Sequence, residues 1–172
     1  AGYWRREDGS TGAVLKLDGF LTRSLFDLYS NFTYFLNDPE RGDGIVQHDS
    51  RLMEGANLQY LRPHQLAGAQ SLFTAGANLH DNQILVGLSS RIGRLPVDAI
   101  TNANARVSNA ALYGQEGVNL FGNRLQLGAG IRYDQFRFRI RDRVDPAGGG
   151  AYLAGRWQPK ASAAYTPSWR VP

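Results

Sequence analysis

From Arg124 to Asp134 the chain alternates without error. Leu125, Leu127, Ala129, Ile131 and Tyr133 share one face, and Arg124, Gln126, Gly128, Gly130, Arg132 and Asp134 the other. A period of two is a strand. Just upstream, Ala110, Leu112, Gly114 and Val118 lie opposite Asn109, Tyr113, Gln115 and Asn119, and only Phe121, Gly122 and Asn123 separate the two runs. Two antiparallel strands joined by a tight turn follow. The downstream run stays extended to Arg143. That is well beyond the ordinary strand of about five or six residues and past the roughly 9 to 11 that cross a bilayer.

The rest of the chain reads in the same terms. Residues 2–7 are the end of a strand, closed by a turn at Asp8-Gly9-Ser10. Ala13, Leu15, Leu17 and Leu21 are apolar on odd numbers, whereas Phe26, Leu28, Phe32, Tyr34 and Leu36 are apolar on even ones. This parity switch near residues 23–25 predicts a bulge in one long strand, with a hairpin at 21–24 as the alternative. Residues 37–44, with Pro39, Gly42 and Gly44, form a loop by composition, and the outer connection is expected to run over 37–49. Leu52, Ala56, Leu58 and Tyr60 oppose Arg51, Asn57 and Gln59 in a strand closing at Arg62-Pro63-His64. Phe73, Ala75, Ala77 and Leu79 oppose Thr74, Gly76 and Asn78, and the pattern dissolves at His80. Residues 80–105 then read as a long polar loop, unusual in a compact soluble domain. A last strand over 156–166 places Trp157, Ala161, Ala163 and Tyr165 opposite Lys160, Ser162 and Thr166.

Connections alternate in length. Those at 8–10, 63–70 and 121–123 are short, those at 37–49, 80–105 and 142–155 longer, and strand direction sends each set to one end. Short periplasmic turns and longer outer loops mark transmembrane β-barrels. The expected fold is all-β, an antiparallel transmembrane barrel segment of about seven strands. A closed bacterial barrel takes an even number, and the large plugged transporters about 22. Residues 1–172 therefore read as an internal piece of a larger barrel, with the plug domain and the C-terminal barrel strands, usually ending in an aromatic strand, outside it; this chain ends on Val171-Pro172.

Composition changes this picture little. Twenty glycines, eight tyrosines, eight phenylalanines and three tryptophans, with a mean hydropathy of -0.36, suit strands with one polar face. No apolar run reaches the 18 or so residues of a membrane helix. The chain has no cysteine, so neither disulfides nor thiolate metal sites are available. A net charge of +4 is spread along strands and loops, which argues against nucleic-acid binding.

Ala111-Leu112-Tyr113-Gly114-Gln115, then Asn123-Arg124-Leu125 leading to Gly128-Ala129-Gly130-Ile131-Arg132-Tyr133-Asp134, then Pro159-Lys160-Ala161-Ser162-Ala163-Ala164-Tyr165-Thr166-Pro167, resemble in order and spacing the barrel of TonB-dependent outer-membrane receptors. The stretch from Leu28-Tyr29-Ser30 to Asn37-Asp38-Pro39 resembles a further barrel segment of that family. The resemblance implies wall and outer loops of an active transporter in the cell outer membrane that imports chelated nutrients such as ferric siderophores. It implies as partners the small chelate, outer-membrane lipid and lipopolysaccharide, and TonB acting through a plug. A small self-contained outer-membrane barrel with a structural or adhesive role is the alternative, and a soluble β-protein comes third.

Glu54 and Glu116 share parity with apolar residues, which requires a headgroup boundary or a bulge turning them inward. His48 and His80 fall at the outer ends and His64 at the other, without ligand-like spacing, so no metal site is assigned. Phe136-Arg137-Phe138-Arg139-Ile140-Arg141-Asp142-Arg143 reads as a strand rising above the membrane with a charged inner face, or as an anion or lipopolysaccharide-phosphate site. Gly128-Ala129-Gly130 lies inside a strand and is no dinucleotide loop. The sequon Asn31-Phe32-Thr33 carries no weight in a bacterial-type strand. No nucleophile keeps company with a base, and neither an enzyme nor a cofactor is expected. Ligand-contacting residues are not legible.

Overall fold

A computed structural model describes residues 1–167. Val171 and Pro172, on which the expectation about a terminal strand rests, lie outside the described residues. The chain forms one antiparallel seven-stranded meander in sequence order. Its strands are β1 (Gly2–Glu7), β2 (Val14–Ser30), β3 (Ile45–Leu66), β4 (Ala69–Ile92), β5 (Leu95–Leu120), β6 (Leu125–Asp142) and β7 (Gly150–Tyr165). The sheet is open, with β1 and β7 at its edges. Among the described residues no large side chain is fully buried. A soluble sandwich would bury one face of such a sheet against a second layer.

Pairing is continuous across most of the sheet, so cross-strand rows can be followed from β1 to β7. One row joins Trp4, Leu17, Leu58, Ala77, Leu112, Tyr133 and Trp157. Leu112 is 66% exposed and Trp157 62%, whereas Thr74, Ala111 and Asp134, on the opposite face, are each 3% exposed. Side chains crowd on a concave face and splay on a convex one. The apolar rows therefore lie on the outside of a curved wall and the polar rows inside. Tyr133 and Trp157, cross-strand neighbours on the outer face, sit with ring centroids 4.7 Å apart, a contact that ties β7 to β6.

The strands are much longer than the alternation predicted. β5 has 26 residues, about 86 Å at roughly 3.3 Å per residue. Residues 80–105 are not a loop: β4 runs on to Ile92, β5 begins at Leu95, and Gly93 with φ +62° turns between them. β3 continues past Pro63 to Leu66, where Ala67 and Gly68, at φ 50° and 81°, make a two-residue turn. β7 starts at Gly150, so the connection expected over 142–155 shrinks to residues 143–149. Residues 31–36, expected in the second strand, belong with 37–44 to the one long outer connection, while residues 45–49 are already strand. The contrast in connection length persists only there; elsewhere the outer end is raised on strand.

The expected bulge near residues 23–25 is absent. β2 pairs β3 without interruption from Val14↔Leu61 to Ser30↔Ile45. The parity of apolar residues changes because the faces themselves exchange polarity, and β2, β4, β5 and β6 do so at one level, whereas β3 keeps Leu52 on the outer face and Arg51 and Asp49 on the inner one. Below it, the outer face carries rows such as Leu15, Tyr60, Ala75, Gly114 and Ile131. At the row Leu21, Glu54, Asp81, Ser108 and Arg137 the outer face becomes charged. In the next rows the inner face becomes apolar, with Met53, Val107 and Phe138 in line. Alternation sought with apolar residues on one fixed parity therefore fails above this level, although the strands continue. Among the described pairings, the register shifts fall at Leu88/Ser89 and Ser89/Arg91, high in the β4–β5 hairpin.

Candidate functional site

The inner wall carries a hydrogen-bonded belt that crosses the sheet from β2 to β7. Its centre is Asp134, whose carboxylate accepts from Arg132 through Nε at 2.7 Å and Nη2 at 2.9 Å. Asn109 Nδ2 and Gln158 Nε2 donate to the same carboxylate at 3.2 Å and 2.7 Å. The other arm of the guanidinium donates to Asn78 Oδ1 at 2.6 Å; Asn78 Nδ2 donates to Asn57 Oδ1 at 2.7 Å, and Asn57 Nδ2 to Asp18 Oδ2 at 2.7 Å. The chain thus starts on a cation and ends on a carboxylate, which orients both amides the same way.

This belt follows from strand register. Asp18, Asn57, Asn78, Ala111 and Asp134 occupy one cross-strand row, and Gly76, Tyr113, Arg132 and Gln158 the next. Gly76 is required there: a Cβ would lie 2.5 Å from both the Tyr113 ring and the Leu58 carbonyl oxygen. Tyr113 lies across that gap, accepts from Gln59 Nε2 at 3.4 Å and has the Arg132 guanidinium 5.9 Å from its ring centroid. A glycine on one strand lets an aromatic on the next cover the backbone and steer the guanidinium toward Asn78.

Above the belt the inner wall is aromatic. Phe138 stacks on Tyr152 at 4.5 Å and lies 5.9 Å from Phe136, while Phe20 reaches over Gly55 to within 6.0 Å of the His80 ring. The arginines between those phenylalanines are not on this face. Arg137, Arg139 and Arg141 share the parity of Leu127 and Ile131, with unbroken pairing along β6. They form a charged outer face, which overturns the expectation of a charged inner one.

The outermost connection, residues 31–44, is organised by Asp43. Its carboxylate accepts from Thr33 Oγ1 at 2.6 Å, from the Asn37 and Asp38 backbone N–H groups at 2.9 Å and 2.8 Å, and from Asn37 Nδ2 at 3.0 Å. The Thr33 hydroxyl, followed by the Asn37 amide, holds this carboxyl below the usual aspartate range. Arg91 of β4 fastens the base of the loop, donating through Nε to Ile45 O at 3.1 Å and through Nη2 to Ser30 O at 3.3 Å. Its partner aromatic is Tyr29, whose ring centroid lies 5.8 Å from the guanidinium. Phe32, Tyr34, Phe35 and Leu36 at the tip are 80, 71, 58 and 76% exposed.

The residues singled out in the sequence fall as follows. Glu54 stands in the row where the outer face turns charged, and no bulge redirects it. Glu116 lies toward the turn end of the wall, its Oε1 3.4 Å from His64 Nε2. Along β5 the apolar band between Ser108 and Glu116 measures about 26 Å at roughly 3.3 Å per residue, the scale of a barrel's lipid band. Register separates the other histidines: His48 pairs with Gly87 on the outer face and meets Asp27 Oδ1 at 2.6 Å, whereas His80 pairs with Gly55 on the inner one. The belt itself was missed, although its residues share the polar parity of their strands. Aligning successive hairpins would have brought them into one row.

Residues 2–171 match the family model described as TonB dependent receptor-like, beta-barrel. The fold is similar to that of the ferric citrate transporter FecA in its unliganded form, with a TM-score of 0.73 at 12% identity over 94% of this chain. The chain spans 23% of the length of that structure. No curated protein matches the chain in sequence. With nearly every residue inside the family match, the chain belongs to the TonB-dependent receptor β-barrel family.

Proposed function

We propose that the chain forms part of the wall and outer rim of an outer-membrane active transporter that imports a chelated nutrient, energised through TonB. The observation that carries this reading is the division of the inner wall. A polar belt lies at membrane level, and an aromatic, loop-rimmed vestibule lies above it. A structural barrel needs neither a lateral relay of fixed dipoles nor an apolar lining where the wall has left the membrane. Transport, and not catalysis, is the activity of the family.

In this reading β1 and β7 pair with further strands of the same barrel, which removes the sheet edges. A plug would occupy the lumen beside the belt, where an accepting and donating wall can be rearranged without exposing unpaired groups to lipid. The vestibule would meet the ligand first. Ferric citrate is the cargo named for the structurally similar transporter, and a ferric siderophore or comparable chelate is the class proposed here. Uptake of radiolabelled iron chelates by cells producing the full-length protein tests the proposal: TonB-dependent accumulation of at least one chelate supports it. A protein of about this chain's mass in the outer membrane, with no uptake of any chelate, would replace it with the small structural barrel.

A further inference from the structure

We propose that loop 31–44 and the tip of the β4–β5 hairpin, residues 89–99, form one cooperative flap at the rim. It is decoupled from the rest of the wall at the register shifts between β4 and β5, and Arg91 is its latch. Below the shifts, β4 pairs β5 without interruption from Gln70↔Asn119 to Leu88↔Thr101. From there to Arg91↔Pro96, β4 advances three residues and β5 five, so two residues of β5 bulge out of the pairing. Pro96 moreover has no N–H to give across the ladder. The Ser90 hydroxyl stands in for the missing bonds, accepting from the Asp98 N–H at 3.1 Å and donating to Asp98 Oδ2 at 3.3 Å. The hairpin tip is thus held only weakly to the sheet through β5.

Toward the loop the same tip is tied directly. The Arg91 backbone N–H donates to Gly44 O at 2.8 Å, one step beyond the last β3–β4 pair, Ile45↔Ser90. The guanidinium then spans three segments. Its Nη2 donates to Ser30 O at 3.3 Å where β2 ends, its Nε to Ile45 O at 3.1 Å where β3 begins, and its Nη1 to Gly93 O in the turn of the hairpin itself. The Tyr29 ring has the guanidinium groups of both Arg91 and Arg94 5.8 Å from its centroid. Gly44 makes room for this arrangement: a Cβ there would lie 3.1 Å from Arg91 Cγ and 3.2 Å from Cζ. Among the described residues no carboxylate stands within 4.0 Å of Arg91, so its donors are committed to the carbonyls. A planar fork holds those carbonyls in one geometry, which a single ammonium cannot do. Asp43 keeps the loop itself ordered through Thr33, Asn37 and Asp38, so the latch joins two formed bodies. Loop and tip are bound to each other more strongly than the tip is bound to β5, and they open together.

The test is hydrogen exchange, read by mass spectrometry on the full-length protein in detergent, in peptides covering 31–44, 89–99 and, as the reference, 101–108. R91Q should speed exchange in 31–44 and 89–99 together, by about tenfold or more on the loss of charge-assisted bonds, and leave 101–108 unchanged. R91K, which keeps the charge without the fork, should restore little of the protection. S90A removes bonds made only within the hairpin. With Arg91 in place it should speed both segments by a common factor of about three to ten; in the R91Q background it should speed 89–99 alone. No change in R91Q, acceleration of 31–44 alone in R91Q, acceleration of one segment alone in S90A, or acceleration of 101–108 along with both overturns the flap. Should R91Q not assemble, G44A, which crowds the guanidinium out of its place, decides by the same three segments.

Discussion

The lower and upper halves of β6 are one strand with opposite solvents. From Leu125 to Tyr133 its odd residues are apolar and its even ones polar; from Phe136 to Ile140 the even residues are apolar and Arg137, Arg139 and Arg141 are odd. Backbone pairing is the same in both halves. What changes is the medium on each side. In the proposed barrel, lipid lies outside and a hydrated lumen inside at membrane level; above it the outer face is charged and the inner face carries Phe136, Phe138 and Ile140. Strand register fixes only which residues share a face; the environment decides which face is apolar.

The largest test of this contrast is a charge placed on the outer face of each half. Ile131→Arg puts a guanidinium in the lipid band, at up to about 2–4 kcal/mol, and Leu127→Arg puts one at its turn-side edge, one outer row past Glu116, at less; both should impair membrane assembly as read by heat-modifiable migration. Gln126→Arg on the inner face should assemble normally. Equal tolerance of all three would reverse the assigned faces.

A second contrast compares two ion pairs. Arg132 and Asp134 lie in the belt, the aspartate side chain 5% exposed, whereas the Arg106 side chain of the outer pair with Asp81 is 51% exposed. Asp134→Ala strands Arg132 and two further donors, Asn109 and Gln158, and should destabilise the folded barrel by about 1–3 kcal/mol. Asp81→Ala should cost no more than about 1 kcal/mol. Urea unfolding of both variants measures the difference; equal losses would remove the special standing of the belt. Gly76→Val should expel Tyr113 from the backbone gap and weaken chelate uptake more than it lowers the unfolding midpoint, since the belt's orientation suffers first.

The smallest expected effect is at the rim. The carboxyl of Asp43 is held below its ordinary value of 3.8. A depressed carboxyl contributes order that is complete above that value and is lost as pH falls through the lower, folded one. Hydrogen exchange in residues 31–44 should therefore stay slow through mildly acid solution and rise only below the ordinary aspartate range. Thr33→Val removes the largest cause and should move the transition upward; an unmoved transition would show that Asp43 does not organise the loop.

The strand count, the direction of each strand and the short turn at Phe121 to Asn123 were legible because a half-buried strand in lipid has a period of two. Residues 80–105 were not, because above the membrane the apolar residues Ile84, Val86 and Leu88 lie on the parity opposite to Ala75, Ala77 and Leu79. Read on one parity, the inversion looked like a break. The arginines of β6 were assigned to the wrong face for the same reason. The belt was invisible for another: Asp18 and Asp134 are joined through five strands, and only the completed register makes them part of one network.

Residues 1–172 contain no cysteine, so with any thiol elsewhere in the full-length protein replaced, the exchange of faces is directly measurable. Single cysteines at each position from 125 to 141, spin-labelled in the reconstituted full-length protein, report collision with lipid-soluble oxygen or with a water-soluble paramagnet. Oxygen access should peak at 131 and 133, fall toward 127, and vanish from the odd positions above, with 137, 139 and 141 open to the water-soluble reagent while 136 and 138 are shielded from both. Oxygen access persisting at odd positions through 141, or a one-residue phase slip between 133 and 137, would contradict an unbroken strand whose two faces exchange environments.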